Sequence, residues 1–235
     1  MSVELLDDKR ITEFIYSGLQ DICKDSNLMT GFIQVLTNPQ LYSHSIDTAR
    51  FAMQIACVYD SNIDLLMVSK AGLLHDIGKV EIPVEILNKP GRLNDYEMSI
   101  MQTHPEKGYE ILKKLGVDLE LADTALNHHE KLSGNGYPRH TTHIAKIVQM
   151  ITVADIFSAL TELRSYKQPM HSSKAFEIMR GMDGLNQEFV DLLESRVIDE
   201  IDDYNARQLA KFYQRCIAIF DKVYEDLGGE LEYSI

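Results

Sequence analysis

Leu73-Leu74-His75-Asp76-Ile77-Gly78-Lys79 closes an apolar run that begins near Ile63. Helical patterning followed by Gly78 predicts a helix from Ile63 to Ile77. Neighbours on a helix point about 100° apart, so His75 and Asp76 do not converge on one point as an i, i+4 pair does. An aspartate set between two metal ions bridges them, one oxygen to each. Working outward, His44, His104, the pair His128-His129 and Asp155 recur at steps of 31, 29, 24 and 26 residues. Each step is about one helix with its connection, and a helical bundle brings one such position per helix to a common centre. Mixed imidazole and carboxylate ligands suit iron, manganese, zinc or nickel better than calcium. Two transition-metal ions are expected, with iron or manganese favoured. His128 and His129, if helical, fit two metals better than one. Asp155 falls on the apolar stripe of its helix beside Ile151, Thr152, Ile156 and Ala159, where a charge is costly unless paired or metal-bound.

The remainder reads as helical nearly throughout, with no period-2 strand signal, so the expected fold is all-α. Helices are expected over Asp8 to Ile22, Leu28 to Leu36 and Pro39 to Tyr59, with Pro39 suited to a first turn. Lys79 to Leu93 is expected to be a loop. Asn94 with Glu97, and Thr103 with Glu106, match the capping-box pattern. The second of these segments stops at Gly116. Helices follow over Leu119 to Lys131 and His143 to Leu163, separated by an irregular loop from Ser133 to Thr142. Shorter ones run from Ser172 or Ser173 to about Gly181, from Asn186 to Ile201 and from Asp203 to Leu227. Residues 1–38 are expected to be N-terminal helices in or on the core, 39–182 the catalytic domain, and 183–235 an acidic helical extension.

The chain has 235 residues and a net charge of −13. That balance argues against binding DNA or RNA polymers, which needs a basic footprint. It leaves room for a small anion held by metals and a few cations. No apolar run spans a membrane, and MSVELLDDKR has no apolar stretch behind its charges, so a cytoplasmic protein without a signal peptide is expected. Cys23, Cys57 and Cys216 form no CxxC and are expected to be reduced and structural. Residues 183–230 hold 12 acidic and 5 basic residues, which predicts a solvated appendage. Within it Phe212, Cys216, Ile219, Phe220 and Val223 form an apolar stripe, to be buried on the core or in a homodimer.

The string LLHDIGK resembles the signature of HD-domain metal-dependent phosphohydrolases. ILNKPGRL at Ile86–Leu93, THPEKGYEIL at Thr103–Leu112, HHEKLSGNGYP at His128–Pro138 and VADIFSALTELRSYK at Val153–Lys167 narrow the resemblance to the HD-GYP subfamily. The resemblance implies an all-helical HD fold and a phosphodiesterase that linearises cyclic di-GMP to pGpG, some members continuing to GMP. It implies His44, His75, Asp76, His104, His128, His129 and Asp155 as metal ligands, and Lys79 facing the phosphate. It also assigns Tyr137 to the name-giving loop, and Arg164 and Lys167 to nucleotide contacts. The chain departs from the family pattern at Ser133 and Ser158, each in place of a usual Asp, at Lys146 for Arg and at Ser165 for Pro. Gln40 stands where some members carry a third-metal Glu, so two metals are expected.

The chemistry stands on its own terms. A phosphodiester repels hydroxide, and two metals about 3.5–4 Å apart offset that charge and activate water. Lys79 is either a charge for the phosphate or a lysine favoured by a helix C-terminus. Tyr137 either touches the ligand or plugs the loop. Arg164 and Lys167 either pair with a phosphate or end a solvated helix. His140, His143 and His171 are expected to ligate nothing. The competing functions are an inactive binding or scaffold module and a hydrolase of a related cyclic dinucleotide such as cyclic GMP-AMP. With roughly 40 residues before His44, a regulator is expected to be a separate protein.

Overall fold

Every element among the described residues is helical in the computed structural model, which describes residues 8–25, 38–60, 62–162 and 170–198 and the single positions 28, 32, 35 and 218. In chain order these are α1 (Asp8–Lys24), α2 (Pro39–Tyr59), α3 (Leu65–Leu74), a 3₁₀ turn (Ile77–Glu81) and α4 (Val84–Leu87). Then follow α5 (Asp95–Met101), α6 (His104–Lys114), α7 (Leu119–Asn127), α8 (Lys146–Thr161), α9 (Ser172–Arg180) and α10 (Gln187–Ile198).

The amphipathic α1 buries Ile11, Ile15, Leu19 and Ile22 and packs on α3. The central helix α2 lies against α3 on one side and α8 on the other. A Cβ on Gly72 would come within 2.4 Å of Ala49 Cα, so α3 and α2 meet backbone to backbone. Of the expected helix over Leu28 to Leu36, positions 28, 32 and 35 are described, each helical and buried.

The helix carrying the HD pair is shorter than its pattern predicts. Asp64 caps it, accepting from Leu66 and Met67 N–H at 2.9 and 3.1 Å, and it ends at Leu74. The chain then tightens into the 3₁₀ turn. Gly78 sits inside that turn and is a close-approach residue, not a helix stop: a Cβ there would lie 2.0 Å from His104 O and 2.4 Å from Gly108 N. The stretch expected to be a loop from Lys79 to Leu93 thus contains the end of this turn and α4. Asn94 and Glu97 form the expected capping box. Thr103 does not cap. Its backbone is already helical, with φ −82° and ψ −12°, not the extended geometry a cap needs, and its hydroxyl donates to Ile100 O at 2.7 Å.

α10 begins the stretch expected to be a solvated appendage, yet Phe189, Val190, Leu193 and Val197 are buried in the main core. Phe189 meets Tyr59 edge-on at 5.0 Å, and Lys146 places its ammonium over both rings. Charge patterning showed only the outer face, where Arg180 pairs with Asp191 at 3.1 Å and with Glu194. The stripe from Phe212 to Val223 lies outside the described residues. Among those residues no helix is long and apolar enough to cross a membrane.

Candidate metal centre

Three close approaches assemble the site. The α2–α3 contact at Gly72 sets His44 beside His75, ring centroids 5.4 Å apart. The contact at Gly78 sets Asp76 against the start of α6, with His104 Nε2 at 3.2 Å from Asp76 Oδ1. Packing of α8 on α2 and α7 brings Asp155 Oδ1 to 2.9 Å from His44 Nε2. On the α7 side, Thr152 Oγ1 donates to His128 O at 2.8 Å.

All seven expected ligands therefore meet. Their candidate ligand atoms form three overlapping groups, each within 4.8 Å: His44, His75, Asp155; His104, His128, His129; and His75, Asp76, His128. Asp76 stands between the two trios. Its Oδ2 lies 3.4 Å from His75 Nε2 and 3.7 Å from His44 Nε2. Its Oδ1 faces His104 and, at 3.7 Å, His128. His128 and His129 share the group with His104, and His128 also belongs to the group with His75 and Asp76. α7 ends at Asn127 with His128 as its C-cap.

The ring hydrogens of His75, His104 and His128 point away from the centre of the donor set. Nδ1 of His75 lies 2.7 Å from Gly72 O, that of His104 2.7 Å from Met101 O, and that of His128 2.8 Å from Ala125 O. A carbonyl only accepts, so each Nδ1 carries the hydrogen and each neutral Nε2 presents a lone pair inward. His104 and His128 Nε2 are 3.2 Å apart. Two nitrogens bound about 2.0–2.1 Å from one ion stand about 2.9–3.4 Å apart. His75 Nε2 and Asp76 Oδ1 are buried without a hydrogen-bond partner. Lone pairs facing one another, orphaned acceptors and second-layer carbonyls all fit divalent metal ions.

The electrostatics agree. Burial raises the Asp76 pKa, but Lys79 and His75 outweigh it and hold the carboxyl well below its usual range. Asp155 is likewise held low, His44 overriding the effect of burial. Burial and neighbouring imidazoles push His128 well down. His129 is lowered too, by burial first, although about a quarter of its side chain stays open to solvent. His75 moves up, because Asp76 outweighs its burial. The Lys79 ammonium bonds Asp76 Oδ2.

Tyr137 is half-buried and stacks on His129. The residue that sequence reasoning missed is Glu130. It is 1% exposed and accepts from Arg139 N at 2.5 Å and Thr141 N at 3.2 Å. Its one signal in the sequence is its place directly after the histidine pair. Ser158 was noted only as a departure, yet its hydroxyl meets His44 Nδ1 at 3.0 Å. His140 and His143 are exposed and outside the cluster. Arg164 and Lys167 lie outside the described residues.

The HD domain family model matches residues 33–187. A 3'3'-cGAMP-specific phosphodiesterase of Vibrio cholerae is 31% identical over 86% of the chain and 45% of its own length. A cyclic di-GMP phosphodiesterase of Pseudomonas aeruginosa is 30% identical over 77% of the chain and 45% of its length. The chain thus spans less than half the length of these curated relatives. An HDG"Y"P protein from Bdellovibrio bacteriovorus superposes with a TM-score of 0.56 at 13% identity, over 80% of this chain and 68% of that one. An L. monocytogenes phosphodiesterase HD domain solved with cyclic-di-AMP gives 0.51 at 20% identity, over 87% of this chain and all of that one. These two likenesses carry the fold. With the family match across most of the chain and the histidine–aspartate cluster at its heart, the chain belongs to the HD domain family.

Proposed function

We propose that the chain is a metal-dependent phosphodiesterase acting on a 3',3'-linked cyclic dinucleotide, with cyclic di-GMP and 3'3'-cGAMP as the candidate substrates. The observation that carries this is the pair of trios joined by Asp76. His44, His75 and Asp155 would hold one ion, and His104, His128 and His129 the other. Asp76, which stands between the two trios, would help to hold both ions. Iron or manganese is the proposed metal, on the mixed imidazole and carboxylate set. When bound, two such ions supply Lewis-acid stabilisation of the phosphate and of the oxygens entering and leaving it.

The chain's own residues have separable tasks. Lys79 keeps Asp76 ionised and brings a positive charge to the phosphate. Tyr137, stacked on His129, shields the second trio from water. Arg164 and Lys167 are proposed to hold the nucleotide, since long-range attraction of a dianion by a chain of net charge −13 is adverse. The relatives' names support both base compositions, so the substrate must be decided by assay. Protein purified anaerobically, with metal content measured on the same sample, is expected to convert one or both dinucleotides to linear products. Binding without turnover in metal-replete protein would instead establish a scaffold module. Arg164→Ala is expected to raise KM by a factor equivalent to about 1.5–3 kcal/mol with metal content unchanged.

A further inference from the structure

Four histidines feed the two trios through well-defined Nδ1 contacts, and one of the four is different. His75, His104 and His128 each face a backbone carbonyl. His44 faces the hydroxyl of Ser158 at 3.0 Å. A carbonyl accepts and nothing else, so it fixes the ring hydrogen on Nδ1. A hydroxyl both donates and accepts, so it fixes nothing. On its other side His44 Nε2 lies 2.9 Å from Asp155 Oδ1. An ionised carboxylate accepts only. The hydrogen of this contact therefore sits on His44 Nε2, the atom a metal would need bare.

The trios are consequently unequal. His104 and His128 confront each other lone pair to lone pair at 3.2 Å, an arrangement relieved by a cation. His44 and Asp155 are already satisfied by each other. An ion entering there must break their bond, and the ring hydrogen must appear on Nδ1. Ser158, itself 1% exposed, makes that exchange possible: its hydroxyl turns from donor to acceptor. Ser43 Oγ donates to Glu162 Oε1 at 3.1 Å, and Glu162 Oε2 is 3.9 Å from His44 Nδ1, so no described carboxylate takes over this role directly.

We propose that the His104–His128–His129 trio fills first and tightly, and that Ser158 is the positioning residue that sets the affinity of a weaker, exchangeable ion at His44, His75 and Asp155. The inference rests on the two-metal reading above and adds an order and a controlling residue to it. It concerns a tautomer and a hydroxyl rotation, with no change in net charge at Ser158.

The experiment uses the full chain stripped of metal and titrated with zinc(II), a diamagnetic probe, followed by calorimetry and by ¹⁵N NMR of the histidine rings. Wild type is expected to take up two ions in two resolved steps. In the metal-free chain one histidine, lost from the spectrum in His44→Ala, should carry its hydrogen on Nε2, and this hydrogen should move to Nδ1 only in the second step. Ser158→Ala should weaken the second step by about 10–100-fold and leave the first unchanged. Ser158→Asp, an acceptor-only partner, should tighten the second step. A metal-free His44 already in the Nδ1–H form, or a second step unmoved in both variants, overturns the proposal. So does an effect confined to the first step. The NMR arm on wild type stands even if a variant misfolds. Failure of wild type to bind a second ion at all sinks the two-metal reading itself, a result distinct from two equal steps, which sinks only this inference.

Discussion

Tyr137 stacks on His129 with ring centroids 4.6 Å apart and planes inclined by 22°. The two residues lie on opposite limbs of one loop, tied by Tyr137 N–H donating to His129 O at 3.2 Å. Gly136 allows the fold-back, since a Cβ there would lie 2.4 Å from Glu130 Cα. Burial first, then Asp155 and Asp76, push the phenol pKa up, so the hydroxyl stays neutral at physiological pH. The ring face is thus the functional part. Tyr137→Phe is expected to keep turnover within about threefold, while Tyr137→Ala forfeits the stacking, about 0.5–1.5 kcal/mol beyond its burial, and lowers turnover further. Steady-state kinetics on both variants decide. Equal damage in the two would give the role to the hydroxyl.

Asp76 and His44 should differ in how many ions they govern. Asp76 offers an oxygen to each trio, whereas His44 belongs to one. Asp76→Ala is expected to lower bound metal at both positions. His44→Ala should leave about one ion of two, because the loss of one ligand weakens its own site. Elemental analysis after anaerobic reconstitution measures this. Full metal content in Asp76→Ala would remove it from between the ions.

The seven clustering residues were legible because they recur at about one helix plus its connection, the bundle's own period. Asp155 could be read from its place on an apolar stripe. What was not legible is the geometry that aligns them. Gly78 looks like a helix stop in the sequence, and only its contact with His104 O shows it to be a packing residue. Likewise, α7 ends at Asn127, just before the histidine pair, a boundary that an apolar run cannot specify to the residue. Glu130 and Ser158 were opaque for a related reason. Their partners are backbone N–H groups and a distant histidine, neither of which leaves a periodic trace. The acidic tail misled because net charge describes the outer face of α10 and is silent on Phe189 and Leu193 beneath it.

Gly78→Ala should be among the most damaging small substitutions in the chain. The added methyl would collide with the backbone of α6, and overpacking of this kind costs about 1–3 kcal/mol. Relief by separating the 3₁₀ turn from α6 would carry Asp76 away from His104, so metal uptake should fall with stability. Gly181→Ala is the matched control. Its φ is −81°, and the new methyl would meet Ile178 O at 3.4 Å, so it should be neutral or stabilising by up to about 1 kcal/mol. Thermal unfolding of the metal-free proteins gives the comparison. A Gly78→Ala variant as stable as wild type would mean that the two segments are not in contact.

Glu130 should control the loop and leave the metals alone. Its carboxylate lies within the fold-back of residues 130–141 and accepts two backbone N–H groups, those of Arg139 and Thr141. Hydrogen bonds to a charged acceptor contribute about 1.5–3 kcal/mol each, so this one side chain holds the segment that follows Tyr137. None of its described hydrogen bonds involves a ligand side chain. Glu130→Ala is therefore expected to raise KM and lower stability with metal content unchanged. Glu130→Gln separates charge from shape. It keeps an amide oxygen for one N–H but turns an NH₂ donor toward the other, leaving a buried donor unpaired at about 1–3 kcal/mol. It should fall between wild type and Glu130→Ala in both stability and KM. Proteolysis of the 133–142 loop provides an independent readout, with faster cleavage in Glu130→Ala expected if the carboxylate pins the loop. A variant that loses its metals first, with the loop still protected, would show that Glu130 instead supports the neighbouring His128 and His129.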